Sequence, residues 1–485
     1  MTRRLLPLLL LSVSACTTMA PKYVRPEGAV PASWPVGDAY LRQNEAALPS
    51  VSYRDVFKDA RLQALIDQAL VNNRDLRAAV ANIAVARAQY RIQRAELFPV
   101  VATGATVTQR EVGQGAAGGA FQVGGRSYQA DIGVTGFELD LFGRVRSLTD
   151  ASLSRYFGQE AAARATRLTL VGDVAGAWLT YAADRSLLKV AEETAANARR
   201  GFQLTDLRRA GGIAPRTDVR QAEQILANAE ASIASQKTAI AQDLNALQLL
   251  VGAPIDPALL PASIEEAATR IAEVPAGTDT RVLLRRPDVV QAEYELRAAN
   301  AEIGAARAAL FPRISLTGIV GFASTALSSL FTGDAFNYSV SPQASYSIFQ
   351  AGAARANVRL TEAQRAAALA NYERAIQSAF RETADGLARA GTIDAQLTAN
   401  QRNLNATADT LRLVDAAYRG GISPFLNTLD AQRTFYTAQR TYVATRLVAA
   451  SNRVTLYRVL GGDSSLEATA DGPRPVTPSG APRAE

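Results

Sequence analysis

Asp206 and Asp415 stand 209 residues apart, and Phe202 and Leu411 are separated by the same interval, so each apolar residue precedes its acid by four positions. Four residues is about one helical turn, which puts each pair on one helix face. Each pair ends one to two turns before a glycine pair, Gly211-Gly212 in one case and Gly420-Gly421 in the other. Like charges gathered around an opening focus potential and favour cations, so a repeated acid beside an apolar side chain suits a charged constriction. The competing reading is a solvated helix surface on which Asp206 and Asp415 pair with Arg208, Arg209 and Arg419.

Other chemistries are excluded by composition. The chain has no histidine and a single cysteine, Cys16. Ser-His-Asp and Cys-His catalysis are therefore unavailable, and only carboxylates remain to bind metal, so neither an enzyme nor a metal cofactor is expected. The run Gly113-Gln114-Gly115-Ala116-Ala117-Gly118 satisfies a dinucleotide pattern, but no helix start or suitably placed acid follows it, and it reads as a loop tip. The formal charge of +7 comes from arginines dispersed among acids along helical stretches, a salt-bridged surface with no basic patch for nucleic acid.

The N-terminus is an address. Arg3 and Arg4 precede a short apolar run, Leu5 to Val13, below the ~20 residues of a membrane-spanning helix. Val13-Ser14-Ala15-Cys16 resembles the lipobox of bacterial lipoproteins, with residues 1–15 as the signal peptide and Cys16 taking diacylglycerol and an N-acyl chain. An ordinary export signal with a chance cysteine is the alternative. Thr17, where an aspartate is absent, resembles lipoproteins passed to the outer membrane. Such a lipid anchors without spanning, and no later stretch is apolar enough for a helical span, so any crossing must use strands.

These residues sit in a duplicated chain. Asp75–Pro99 recurs as Asp288–Pro312 with nine of twenty-five positions identical, both copies ending Leu-Phe-Pro. Gly211-Gly212-Ile213-Ala214-Pro215 recurs as Gly420-Gly421-Ile422-Ser423-Pro424. A unit of this length, far above the ~20–50 residues of solenoid repeats, is a structural half. The expected organisation is a lipidated tether at 16–58, a first repeat at 59–252, a linker at 253–275, a second repeat at 276–462 and a flexible tail at 463–485. Within each repeat a helix is followed by a hairpin, about 100–142 and 313–350, and then by long helices, about 144–252 and 353–461. The first helix should run unbroken from about Asp59 to Leu97. Alternation at Val101, Thr103, Ala105 and Val107, and at Ile314, Leu316, Gly318 and Val320, gives strands of barrel length, although Pro342 weakens the last strand. Leu397, Leu404, Leu411 and Tyr418 recur every seven residues, as coiled-coil packing requires.

Four such strands cannot close a membrane barrel, and open edges are intolerable in hydrocarbon, so strands must be pooled among chains. Two copies give a filled eight-stranded barrel; three give twelve strands with room for a bore, which the long helices would continue as a tube.

The Tyr23-Val24-Arg25-Pro26…Pro31…Trp34 start, the paired Leu-Phe-Pro ends, the Gly-Ile-Ala/Ser-Pro turns and Leu429-Asp430-Ala431-Gln432 resemble the outer membrane factors, the TolC-like channels, most closely their OprM/NodT-type lipoprotein branch. That resemblance implies a mainly α fold with a β-barrel portion: a long α-helical coiled-coil tunnel, four transmembrane strands per protomer and a homotrimeric twelve-stranded barrel in the outer membrane. It implies a periplasmic adaptor and an inner-membrane RND-type pump as partners. It also implies a periplasmic gate of apolar and acidic residues, here Leu411 with Asp415 and Phe202 with Asp206. The glycine turns would be tips that meet the adaptor, with Gly211, Gly212, Ile213, Pro215, Gly420, Gly421, Ile422 and Pro424 as contacts; turn geometry alone explains those residues equally well. The expected function is a passive duct for small-molecule efflux, with protein secretion or metal-cation export as alternatives.

Overall fold

The computed structural model describes residues 18–26, 31, 33–35, 52–110, 125–273 and 279–476. The expected signal peptide, Cys16 and the glycine-rich 113–118 run lie outside the described residues. The chain divides into two compact units. One contains the N-terminal segment up to Arg25 with Ile83–Gly158 and Ala292–Asn371; the other contains Pro26–Asn82, Gln159–Gln291 and Tyr372–Glu485.

The first unit is built on a sheet. Strands β1 (Val101–Arg110), β2 (Gly125–Glu138), β3 (Arg313–Ser324) and β4 (Phe336–Ser345) pair antiparallel in that order. Val101 faces Val134, Ile132 faces Val320 and Leu316 faces Pro342, with a bulge in β2 between Val134 and Phe137. Pro342 lies in β4 opposite Leu316, in a strand with one neighbour among the described residues. Strands β1 and β4 each have one neighbour among the described residues. Val101, Val107, Tyr338 and Val340 are all more than 60% exposed in the protomer, so the sheet presents apolar side chains outward (63%, 64%, 75% and 66%).

The connection after β2 is pinned electrostatically. Asp140 accepts the N–H groups of Val145 and Arg146 at 3.2 and 2.9 Å, capping the first turn of a helix that begins at Arg144. Glu138 holds Arg144 at 2.8 Å and Arg313 at 3.3 Å, tying the ends of both hairpins. The rings of Phe142 and Phe311 stack 4.7 Å apart, so the Phe of the second Leu-Phe-Pro end packs at this junction.

Helices dominate the rest. In chain order they are α1 (Tyr53–Val56), α2 (Ala60–Asn72), α3 (Arg74–Ala95), α4 (Arg144–Ala210), α5 (Arg216–Val251), α6 (Ile264–Thr269), α7 (Pro287–Ala308), α8 (Ala353–Arg419) and α9 (Phe425–Val459). The repeat is visible in their lengths: α4 and α8 both have 67 residues, and α5 and α9 have 36 and 35. Among the described residues no helix is long and apolar enough to cross a membrane.

The core of the second unit gathers Trp178, Tyr372, Tyr457, Phe57, Leu62 and Leu65, each almost wholly buried. Trp178 donates its indole N–H to the Leu259 carbonyl at 3.1 Å, and the Phe57 and Tyr457 rings meet edge to face at 5.3 Å. Burial and the neighbouring Asp463 push the Tyr457 hydroxyl far above its ordinary range. Arg286, 10% exposed, is held by Asp288 at 2.7 Å and Glu382 at 2.9 Å and donates to the Val459 carbonyl.

Two expectations are corrected. The single helix from Asp59 to Leu97 is two, because Asn73 leaves the helical conformation, caps Leu76 N–H through its side chain at 2.8 Å and donates to the Leu250 carbonyl. Part of the expected flexible tail is ordered: β5 (Leu466–Thr469) and β6 (Gly472–Pro475) form a hairpin whose Leu466 is fully buried. The linker also packs, with Ile264 and Ala267 of α6 buried and Ile271 bridged to Phe57.

Candidate functional site

The two glycine tips are built alike. At the first, Gly212 N–H bonds Arg209 O at 2.9 Å and Ile213 N–H bonds Arg208 O at 2.8 Å. At the second, Gly421 bonds Tyr418 O at 3.0 Å and Ile422 bonds Ala417 O at 2.9 Å. This is the Schellman pattern that satisfies the last carbonyls of a helix. It needs a left-handed residue, and Gly212 and Gly421 supply it with φ of 75° and 74°. Pro215 and Pro424 then start α5 and α9 from extended backbone, with no side-chain cap. The consequence is a pair of exposed apolar points, Ile213 at 71% and Ile422 at 85% exposure.

The acids lie behind these tips, and each already has a partner. Asp415 pairs with Arg419 at 2.8 Å, and Asp206 with Arg209 at 3.0 Å. Both pairs lie within one helix and half open to solvent, which limits each to about 1 kcal/mol or less. Leu411 and Asp415 line one cavity of about 210 Å³ with Glu193, Tyr418, Arg419 and Phe425. Phe202 is outside that lining but packs against Ala222, Tyr418, Phe425 and Leu429, of which Tyr418 and Phe425 line the cavity. The structure thus brings Leu411 and Asp415 to one cavity, while Phe202 serves the core between the helices that carry the tips.

Tyr418 joins these surroundings and went unassigned in the sequence beyond its heptad place. It is 5% exposed; its hydroxyl lies 3.4 Å from Thr205 Oγ1, and the Arg208 guanidinium stacks 4.6 Å over its ring while donating to its carbonyl. A second missed feature is a carboxyl pair, Asp184 on α4 with Asp243 on α5. Burial, then the neighbouring Asp184, pushes Asp243 up to about 6, and burial raises Asp184 as well. No ion-pair partner meets either one among the described residues, and Asp243 Oδ2 is buried without a hydrogen-bond partner. Its only sequence trace is the seven-residue step from Gln236 to Asp243, and Gln236 Oε1 is likewise buried and unpartnered.

Beside the tips, α5 and α9 enclose a second groove of about 440 Å³ lined by Ile225, Asn228, Leu429, Arg433 and Tyr436. It mixes apolar and hydrogen-bonding groups along two helices.

Comparison with known proteins covers nearly the whole chain. The family described as outer membrane efflux protein matches residues 65–253 and 280–462, one segment in each repeat. The probable efflux pump outer membrane protein TtgC of Pseudomonas putida KT2440 is 42% identical over 467 residues, 95% of this chain and 96% of that protein. The antibiotic efflux pump outer membrane protein ArpC of Pseudomonas putida has the same identity and coverage. Among solved structures, a membrane protein from Pseudomonas aeruginosa aligns with a TM-score of 0.84 and 38% identity, covering 92% of this chain and all of that one.

Proposed function

The chain belongs to the outer membrane efflux protein family and is the outer membrane channel of a tripartite efflux system; on that footing we propose that it works as a passive homotrimeric duct for small molecules, gated at its periplasmic end. Relatives named for antibiotic and toluene efflux favour drugs and apolar toxic compounds as cargo. The observation that carries the trimer is the four-stranded sheet with two open edges, β1 and β4. Edges cannot stay open in hydrocarbon, and joining three sheets edge to edge gives a closed ring of twelve strands, wide enough for a bore.

The same reading assigns the remaining residues. Asp415 with Leu411, and Asp206 with Phe202, gate the periplasmic end, supported by their place just behind the tips. The exposed Ile213 and Ile422, with Gly211, Gly212, Pro215, Gly420, Gly421 and Pro424 shaping the turns, meet a periplasmic adaptor, which in turn joins an RND-type inner-membrane pump. A lipid on Cys16 anchors the N-terminus in the outer membrane. The family is one of channels, and this chain performs no catalysis of its own.

Native mass spectrometry of the detergent-solubilised protein tests the assembly. The expected mass is three mature chains, each 51.5 kDa less the signal peptide, plus lipid. A dimer or a monomer under conditions that keep the barrel folded would overturn the twelve-stranded ring.

A further inference from the structure

One face of α7 carries Glu293, Arg297, Asn300 and Gly304, spaced four, three and four residues apart, and an extended N-terminal segment lies along it. Glu293 is only 1% exposed, and its partners come both from that segment and from α7 itself. Arg25 pairs with it at 2.9 Å, and the Tyr23 hydroxyl donates to it at 3.3 Å. Arg297, one turn along the helix, completes the charge balance at 2.8 Å and is stacked 4.8 Å over the Tyr23 ring and 5.2 Å over Tyr294. Farther along, Asn300 donates to the Pro21 carbonyl at 2.7 Å while accepting from Arg365 at 3.0 Å, so its amide is fixed from both sides. At Gly304 the segment comes so close that a Cβ would stand 2.6 Å from Ala20 N.

The two rulers agree. From Glu293 to Gly304 is eleven helical steps, ~16.5 Å at ~1.5 Å each. From Arg25 to Ala20 is five extended steps, ~16.5 Å at ~3.3 Å each. A helix face whose groups match an extended chain in length, charge and clearance is a fitted site and not an incidental contact. Release of the segment would leave this buried carboxylate with Arg297 alone and without the Arg25 and Tyr23 contacts, so the segment's hold and Glu293 are coupled.

We propose that this face of α7 is a receptor groove for an extended peptide, read at Tyr23, Arg25 and the Pro21 carbonyl, and that its occupant is the chain's own N-terminal strap, held as a releasable latch. In sequence the strap follows Cys16, the residue that carries the lipid in the reading above. The latch itself does not depend on the lipid, and its test does not involve it.

The strap carries its own reporter, because trypsin cuts after Lys22 but not at Arg25-Pro26. Limited trypsin digestion of the full purified chain, read by mass spectrometry, therefore measures strap release at Lys22, while cleavage after Arg281, whose side chain is 81% exposed, controls for general unfolding. Arg25→Ala and Glu293→Gln should each speed Lys22 cleavage by about tenfold or more, with the Arg281 rate unchanged. The double variant should be slower than the product of the two single effects, since the Arg25–Glu293 pair is common to both. Arg25→Ala touches only the strap, so it decides the question even if Glu293→Gln disturbs the helix. Unchanged Lys22 cleavage in Arg25→Ala, or fully additive effects in the double variant, would overturn the latch.

Discussion

At the scale of single residues, the proposed gate acids make the arginine pairs that the competing surface reading expected. Asp206 and Asp415 are each held by an arginine one turn away, so three assembled protomers would ring the opening with ion pairs in place of bare carboxylates. The two charges then act with opposite sign. In planar bilayers Asp206→Ala with Asp415→Ala should raise conductance and lower cation preference, whereas Arg209→Ala with Arg419→Ala should increase cation preference. Each shift should stay below about fivefold, the range of exposed pairs. Equal preference in all three channels would return these acids to plain surface roles. The Asp184–Asp243 pair makes a separate pH prediction. Its folded-state affinity for protons exceeds that of an unfolded aspartate, so this pair's contribution to stability is greatest at low pH and falls as pH rises from about 4 through about 6. Asp243→Asn removes the penalty and should stabilise the protein at pH 7.5 by roughly 1 kcal/mol after solvent screening, with little gain at pH 4, in denaturant titrations at both pH values.

Among elements, the tips are the most exacting. Gly212 and Gly421 hold left-handed backbone at the Schellman turns, so Ala at either costs about 1 kcal/mol, and Val more, through strain that thermal melts detect. Ile213→Glu with Ile422→Glu changes no buried group, so melting should be unchanged while adaptor cross-linking is lost. Much of this level was legible beforehand because the repeat printed it twice: the Leu-Phe-Pro ends, the Gly-Gly turns and the strand alternation each recur. What escaped depends on contacts between residues far apart in the chain. Asn73 breaks a helix through a side chain that answers to Leu250, 177 residues away. Likewise Leu466 begins a buried hairpin in a stretch whose Pro, Gly and Ala content signals flexibility. Glu293 looks like any helical surface acid until Arg25, 268 residues distant, is laid across it. Long-range pairings leave no local period, and period was what the sequence reading used.

For the whole molecule, every level converges on a conduit. The sequence has no histidine for common catalysis, and the described residues carry strands of barrel length, a sheet with unpaired edges and two matched helix tips. The central claim is that it conducts small molecules outward as the last part of a tripartite pump, docked through those tips. The most direct test is accumulation of a fluorescent pump substrate in cells lacking this protein, complemented with the wild-type chain or with the Ile213→Glu, Ile422→Glu variant at matched outer membrane levels. The account predicts higher accumulation on loss, reversed by the wild type and not by the tip variant. Accumulation unchanged by loss across a broad panel of dyes and drugs, or full rescue by the tip variant, would contradict it.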